Sequence, residues 1–119
     1  MVDVYTASVH GGRAFICSCG YWHGVWDDGL RPEHREILVA LDALEHVRDS
    51  HPDETVSVHV SSSASDTIRN VNTLNHPQEI ADAVRKASIL YRLLNKVGFG
   101  NGTSNEALKF AKLVATLRR

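Results

Sequence analysis

Cys17 and Cys19 stand two apart in Ala14 to Tyr21 (AFICSCGY), a segment that reads as a strand. Their side chains would then share one face, with His23 downstream and His10 across a predicted hairpin. Two thiolates with one or two imidazoles are the donor set of tetrahedral zinc. Cys-x-Cys is not the usual Cys-x2-Cys knuckle, however, and small buried Cys residues are common in core strands. Free thiols are therefore expected and no cofactor is; Cys17, Cys19 and His23 are the residues a metal would have to use. A disulfide across Cys-x-Cys would be strained. The seven His residues, His10, His23, His34, His46, His51, His59 and His76, are scattered, with no pair at metal-binding helical spacing. Ser61-Ser62-Ser63 lacks the glycine-flanked elbow of a hydrolase nucleophile and reads as a strand-ending turn. At roughly 100° per residue, Arg85, Arg92 and Lys96 fall within about 40° of one another, making a basic ridge opposite an apolar stripe through Ala83, Ala87, Leu90 and Leu94. Lys109, Lys112, Arg118 and Arg119 add positive charge on a terminal helix. Such a ridge is either a solvated face or a phosphate-contacting surface. Trp22 and Trp26 are either core or the flank of a binding surface.

The elements that must position these groups follow from the pattern. Val2 to Val9 is a β-branched strand running into the glycine pair Gly11-Gly12, which suits a hairpin turn. Ala14 to Tyr21 is the second strand and Trp22 to Trp26 a short third. Pro32 and Glu33 open a helix whose apolar positions Ile37, Ala40, Leu41, Leu44 and Val47 recur at helical spacing to about Ser50. Thr55 to Val60 alternates as a strand. A short helix is expected from Ser65 or Asp66, Asp66 acting as a cap, with Ile68, Val71 and Leu74 inward. Asn75 is placed to cap a longer helix from Pro77 to Lys96. Val97 to Phe99 forms a brief last strand. Thr103 and Glu106 form a capping box ahead of a terminal helix to about Leu117. The order β-β-β-α-β-α-α-β-α implies an antiparallel meander, then a mixed sheet with helices on its faces.

Thirteen Lys plus Arg against fourteen Asp plus Glu give a formal charge of -1. The total hides a division: residues 1–76 hold five basic and eleven acidic side chains (-6), and residues 77–119 hold eight and three (+5). That asymmetry serves either a polyanion-binding face or internal complementarity. At 43% hydrophobic and 23% charged, the chain is too apolar for a disordered tail. Its length suits one domain over residues 1–119 with a core that needs no staples. No apolar run is long enough to span a membrane, and the N-terminal segment has neither a basic nor an apolar signal region, so a cytoplasmic location is expected.

The order of elements, and the helix-one run Glu36-Ile37-Leu38-Val39-Ala40-Leu41-Asp42-Ala43-Leu44, resemble the ribonuclease H-like family across nearly all of the chain. The resemblance implies an α/β fold, with helices packed on a five-stranded mixed sheet. The family's first strand ends in Asp, as in Tyr-Thr-Asp-Gly-Ser; here the run is Tyr5-Thr6-Ala7-Ser8. Its fourth strand ends in Thr-Asp-Ser, where this chain has Val60-Ser61-Ser62, and its last helix bears an Asp where this chain has Leu108 or Lys109. Active members hold two magnesium ions about 4 Å apart on these carboxylates. Hard cations need anionic oxygen ligands. Of the four positions Ala7, Glu36, Ser61 and Lys109, only Glu36 supplies one. Asp3, four residues before Ala7 and so roughly 13 Å away along a strand, is too far to replace it.

The resemblance therefore implies a domain that has lost its two-metal chemistry and acts by binding. Its expected ligand is an RNA/DNA hybrid or duplex DNA, held by Arg85, Arg92, Lys96 and Lys112. The alternatives are a protein-interaction module, such as a small phage or mobile-element accessory factor engaging a cellular protein, and a metal-dependent nuclease with a rearranged site.

Overall fold

The computed structural model describes residues 1–102 and 104–117. Its elements are β1 (Val2–Val9), β2 (Gly12–Cys17), β3 (Trp22–Trp26), α1 (Pro32–Ser50), β4 (Val56–His59), α2 (Ser62–Asn70), α3 (Gln78–Leu93), β5 (Val97–Gly100) and α4 (Asn105–Thr116). The sheet order is β3-β2-β1-β4-β5, antiparallel across β3-β2-β1 and parallel across β1-β4-β5. The expected mixed sheet and element order are both present.

Pleat alternation sorts the two faces. Val4, Cys17 and Phe15 project with Val56 and Val58 into one core with Ile37, Ala40, Ala43, Leu44 and Val47 of α1. The helices α2 and α3 pack against α1, adding Ile68, Ile80, Val84 and Ala87. Each large side chain buried here contributes about 1.5–3 kcal/mol. On the opposite face, α4 lies against β1, β2 and β3. Its approach is close at Gly12, where a Cβ would stand 2.5 Å from the Ala111 carbonyl oxygen, and at Gly24, where a Cβ would overlap the Val114 side chain.

Chain direction decides which groups meet. The β1-β2 turn, the start of α1 and the ends of β1 and β4 share one end of the sheet; the β2-β3 turn, the end of α1 and the start of β4 share the other.

Several expected boundaries shift for local reasons. β2 ends at Cys17, because Cys17 N–H donates to Tyr21 O and Gly20 N–H to Cys17 O, closing a hairpin over Ser18, Cys19 and Gly20, with Gly20 at φ +95°. Cys19 is thus a turn residue, and the two cysteines do not share a strand face. α2 begins at Ser62 because Ser61 Oγ accepts the Ala64 N–H at 3.1 Å; Ser61, not Asp66, is the cap. That helix stops at Val71, at φ 48°, so helical spacing no longer reaches Leu74, which is 78% exposed rather than inward. Asn75 adopts φ 64° and caps nothing; α3 starts after Pro77 without a side-chain cap. Lys96 lies beyond the end of α3 at Leu93. The cap of α4 is Ser104, which accepts the Ala107 N–H at 3.2 Å. Thr103 of the expected capping box, and Arg118 and Arg119, lie outside the described residues.

Candidate functional site

A cleft of about 460 Å³ opens at the carboxyl ends of β1 and β4, between the N-terminal part of α1 and the start of α4. Thr6, Ala7, Glu36, Ser61, Asn101 and Leu108 are among its lining residues. Three strand or helix ends thus bring Ala7, Glu36 and Ser61 to one place, as the resemblance required. Of the α4 pair, Leu108 lines the cleft while Lys109 is exposed.

The hydroxyl of Ser61 donates to Glu36 Oε2 at 2.9 Å while its oxygen accepts the α2 cap bond. Thr6 Oγ1 donates to the His59 carbonyl at 2.8 Å. Asp3 does not approach this cleft: its Oδ1 lies 3.0 Å from Nε2 of His59, whose ring stacks on Tyr5. Glu36 is the cleft's single carboxylate among the described residues. Neutral hydroxyls, an amide and apolar side chains complete it, which is a poor donor set for a pair of hard divalent ions.

The basic candidates do not form one ridge. Arg85 and Arg92 are exposed on α3, Arg85 pairing with Asp82 at 3.1 Å; Lys96 is exposed just past that helix. Lys112 is exposed on α4, across the sheet from α1 and α3, because α4 packs on the other face. Arg92, Lys96, Lys109 and Lys112 make no ion pair among the described residues. Arg69 lies 5.6 Å over the ring of Phe99, which itself stacks on Tyr91 at the β5 edge. Trp22 is neither core nor free: it is 38% exposed and stacks on Phe110 of α4 at 4.2 Å. No described helix is long and apolar enough to cross a membrane.

The metal candidates regroup. His10 sits in the β1-β2 turn, at the far end of the sheet from the cysteines. His23 is exposed beside Phe15 and does not join them. Cys17 and Cys19 are instead met by His46 and His51, from the last turn and C-cap of α1. Cys17 Sγ lies 3.5 Å from His51 Nε2, and Cys19 Sγ 3.6 Å from His46 Nε2. Burial pushes the Cys17 thiol up to about 11. At Cys19 burial is outweighed by the Tyr21 backbone N–H and by His51, so its pKa falls. His46 is lowered by burial and by neighbouring His51; His51 is raised, hydrogen bonds with Cys19 and the Glu54 carboxylate overcoming its burial. Sequence reading missed His46 and His51 because they lie 27 and 34 residues from their cysteine partners. One signal was available: if β4 pairs parallel to β1, α1 must end beside the β2-β3 turn.

No family model and no curated protein matches the sequence. Solved structures do match the fold. Ribonuclease H1 from the halophilic archaeon Halobacterium salinarum aligns over 97% of this chain and 96% of its own, with a TM-score of 0.73 and 13% identity. The foamy viral protease-reverse transcriptase in complex with an RNA/DNA hybrid aligns over 98% of this chain but 20% of its own, with a TM-score of 0.74 and 11% identity. The prototype foamy virus ribonuclease H domain in solution aligns over 98% and 91%, with a TM-score of 0.65 and 10% identity. The chain has the ribonuclease H-like fold.

Proposed function

We propose that this chain is a ribonuclease H-like domain that binds nucleic acid without two-metal hydrolysis. The observation that carries the binding half is electrostatic. The acidic residues 1–76 do not neutralise the basic residues 77–119: among the ion pairs of the described residues, only Lys86–Glu45, at 2.9 Å, joins the two segments. Internal complementarity therefore leaves the asymmetry largely unused, and Arg92 and Lys96 remain available to phosphate, with Arg85 held only by an exposed pair of little strength. The fold is shared with a reverse transcriptase solved with an RNA/DNA hybrid, which makes a hybrid the first ligand to test. The loss of hydrolysis rests on the cleft, where Glu36 stands alone among the carboxylates that two metals would need.

Binding to a labelled RNA/DNA hybrid and to duplex DNA, titrated against salt, should give affinity that falls steeply with ionic strength. An Arg85, Arg92, Lys96 triple alanine variant should flatten that dependence by about 0.9 in log-log slope for each duplex-DNA phosphate it no longer neutralises. Flat or absent binding by the unaltered chain refutes the reading. Hybrid cleavage with Mg2+ or Mn2+ that disappears in Glu36→Gln would establish the nuclease alternative instead.

A second reading is favoured by the open edge at β3. Trp22 and Leu117, the latter 74% exposed, form an apolar patch with Trp26 and Val114, of a kind that marks protein contacts. A partner that survives nuclease treatment in pull-down, and no longer binds the Trp22→Ser and Leu117→Ser variants, would support that reading.

A further inference from the structure

We propose that Cys17, Cys19, His46 and His51 form a tetrahedral site for a zinc ion, tying the β2-β3 hairpin to the C-terminal end of α1. The four donor atoms all lie within 4.8 Å of one another. Tetrahedral zinc, with sulfur at about 2.3 Å and imidazole nitrogen at about 2.0–2.1 Å, sets its donors roughly 3.3–3.8 Å apart and each S···N pair near 3.6 Å. The two sulfur–nitrogen separations found here are 3.5 and 3.6 Å. The widest pair must close by about 1 Å. Exposed Cys19, in a three-residue turn, is the donor with the most freedom to move.

A pair of isolated thiol–imidazole hydrogen bonds would explain either contact alone. It does not explain why both pairs converge on one point, nor how the imidazoles are held. Nε2 of His51 faces the cluster while Nδ1 is engaged by the Glu54 carboxylate, the arrangement by which a carboxylate fixes the tautomer and orientation of a metal-binding histidine. The ring of His46 is clamped by Tyr21, stacked at 4.7 Å and 10°, and by Phe15 at 5.4 Å. Its Nε2 therefore points at Cys19 without a conformational search. Cys17 is 2% exposed and fixed at the end of β2, and His51 is fixed by its N–H bond to Val47 O. Two rigid elements thus present three preset donors and one adjustable one.

Four protein donors leave no open coordination position, so the site is structural, not hydrolytic. It is also separate from the Glu36 cleft: His46 follows Glu36 by ten residues on α1, roughly 15 Å along the helix axis. The proposal is independent of nucleic-acid binding.

The test uses the full chain, reduced and stripped of metal by chelation. Titration with Co2+ should give the intense visible bands of tetrahedral cobalt-thiolate, saturating at one equivalent and bleached by one equivalent of Zn2+. Zn2+ should raise the thermal midpoint. Cys19→Ser alters an exposed residue that the fold does not need, and should abolish the bands while leaving the metal-free protein folded. His46→Gln should do the same, Glu54→Gln should weaken affinity about 10–100-fold, and His23→Gln should bind as the unaltered chain does. A weak octahedral cobalt spectrum, no saturation at one equivalent, or full binding by Cys19→Ser would overturn the proposal.

Discussion

Replacing Ser61 by Asp tests whether this residue stands where a catalytic carboxylate would. Ser61 Oγ is 2.9 Å from Glu36 Oε2 and also caps α2. Aspartate caps a helix as well as serine does, so the substitution keeps the cap and changes the charge beside Glu36. Two carboxylates about 4 Å apart repel by about 1 kcal/mol at the dielectric of water and about 4 kcal/mol at an effective dielectric of 20. The cleft is open to solvent, and losing the Ser61 hydroxyl bond costs about 1 kcal/mol, so Ser61→Asp should destabilise by about 2–4 kcal/mol at neutral pH. Ser61→Ala, which loses both the cap and the bond to Glu36 without adding charge, should cost about 2 kcal/mol at every pH. Urea denaturation followed against pH and divalent ions separates the two. The Asp variant should regain stability as the pH is lowered from ~7 to ~4, because protonating one carboxyl removes the repulsion. It should also be rescued by millimolar Mg2+ or Mn2+, which bridges carboxylates. The Ala variant should respond to neither. If Ser61→Asp is as stable as Ser61→Ala at every pH and indifferent to divalent ions, Glu36 does not face residue 61 and the comparison with a metal-binding cleft is wrong.

Asp27→Ala should cost about 3–5 kcal/mol, since it leaves the buried Arg35 guanidinium, 3.6 Å from Asp27 Oδ2, without its counter-charge. The double change Asp27→Leu with Arg35→Met should recover most of that in denaturation, and a double variant no better than the single would refute the buried-pair account. Gly12→Ala drives a Cβ to 2.5 Å from the Ala111 carbonyl oxygen and 2.9 Å from the Ala115 nitrogen, so α4 must lift and stability should fall by about 1–3 kcal/mol. Gly98→Ala, with nothing within 4 Å, is the control and should be neutral or slightly stabilising. His34 has its pKa lowered chiefly by burial, with Glu33 opposing and His76 adding to the shift. The folded chain therefore takes up that proton less readily than the unfolded chain does. Stability should be intact above the ordinary histidine value of about 6.5 and fall as the pH drops through it. His34→Phe should flatten the fall, and an unchanged slope would remove His34 from the account.

The periodic elements were legible because their signals are local. The stripe Ile37, Ala40, Leu41, Leu44 and Val47 places α1 correctly at both ends, since Pro32 starts it and His51-Pro52 follows it. Errors fell where one residue type supports two structures. Three serines after β4 read as a turn, whereas the Ser61 hydroxyl starts a helix. A helical wheel carried through Lys96 assumed three residues of helix that end in a loop. Ala7, Glu36 and Ser61 were legible as one site only through the family resemblance; the parallel β1-β4 pair is what brings both carboxyl ends together. The pairing of Cys19 with His46 depends on long-range packing that no local pattern encodes.

The run of α1 keeps the Glu36 cleft and the proposed zinc site apart. The helix descends from the end of β1 to the start of β4, so its N-terminal part delivers Glu36 to one end of the sheet, and its C-terminal part and cap deliver His46 and His51 to the other. Between them, the buried face through Ala40, Ala43, Leu44 and Val47 is spent on the core and holds no polar group in common with either site. Substitutions at Ala7 or Ser61 thus need not disturb the sulfur–imidazole cluster, and a zinc ion there would stiffen the hairpin without entering the cleft. Metal removal should accordingly lower thermal stability more than affinity for a hybrid when both are measured well below the melting range. A proportionate loss of both would mean that α1 transmits between its ends, in which case the two sites would have to be treated as one cooperative unit.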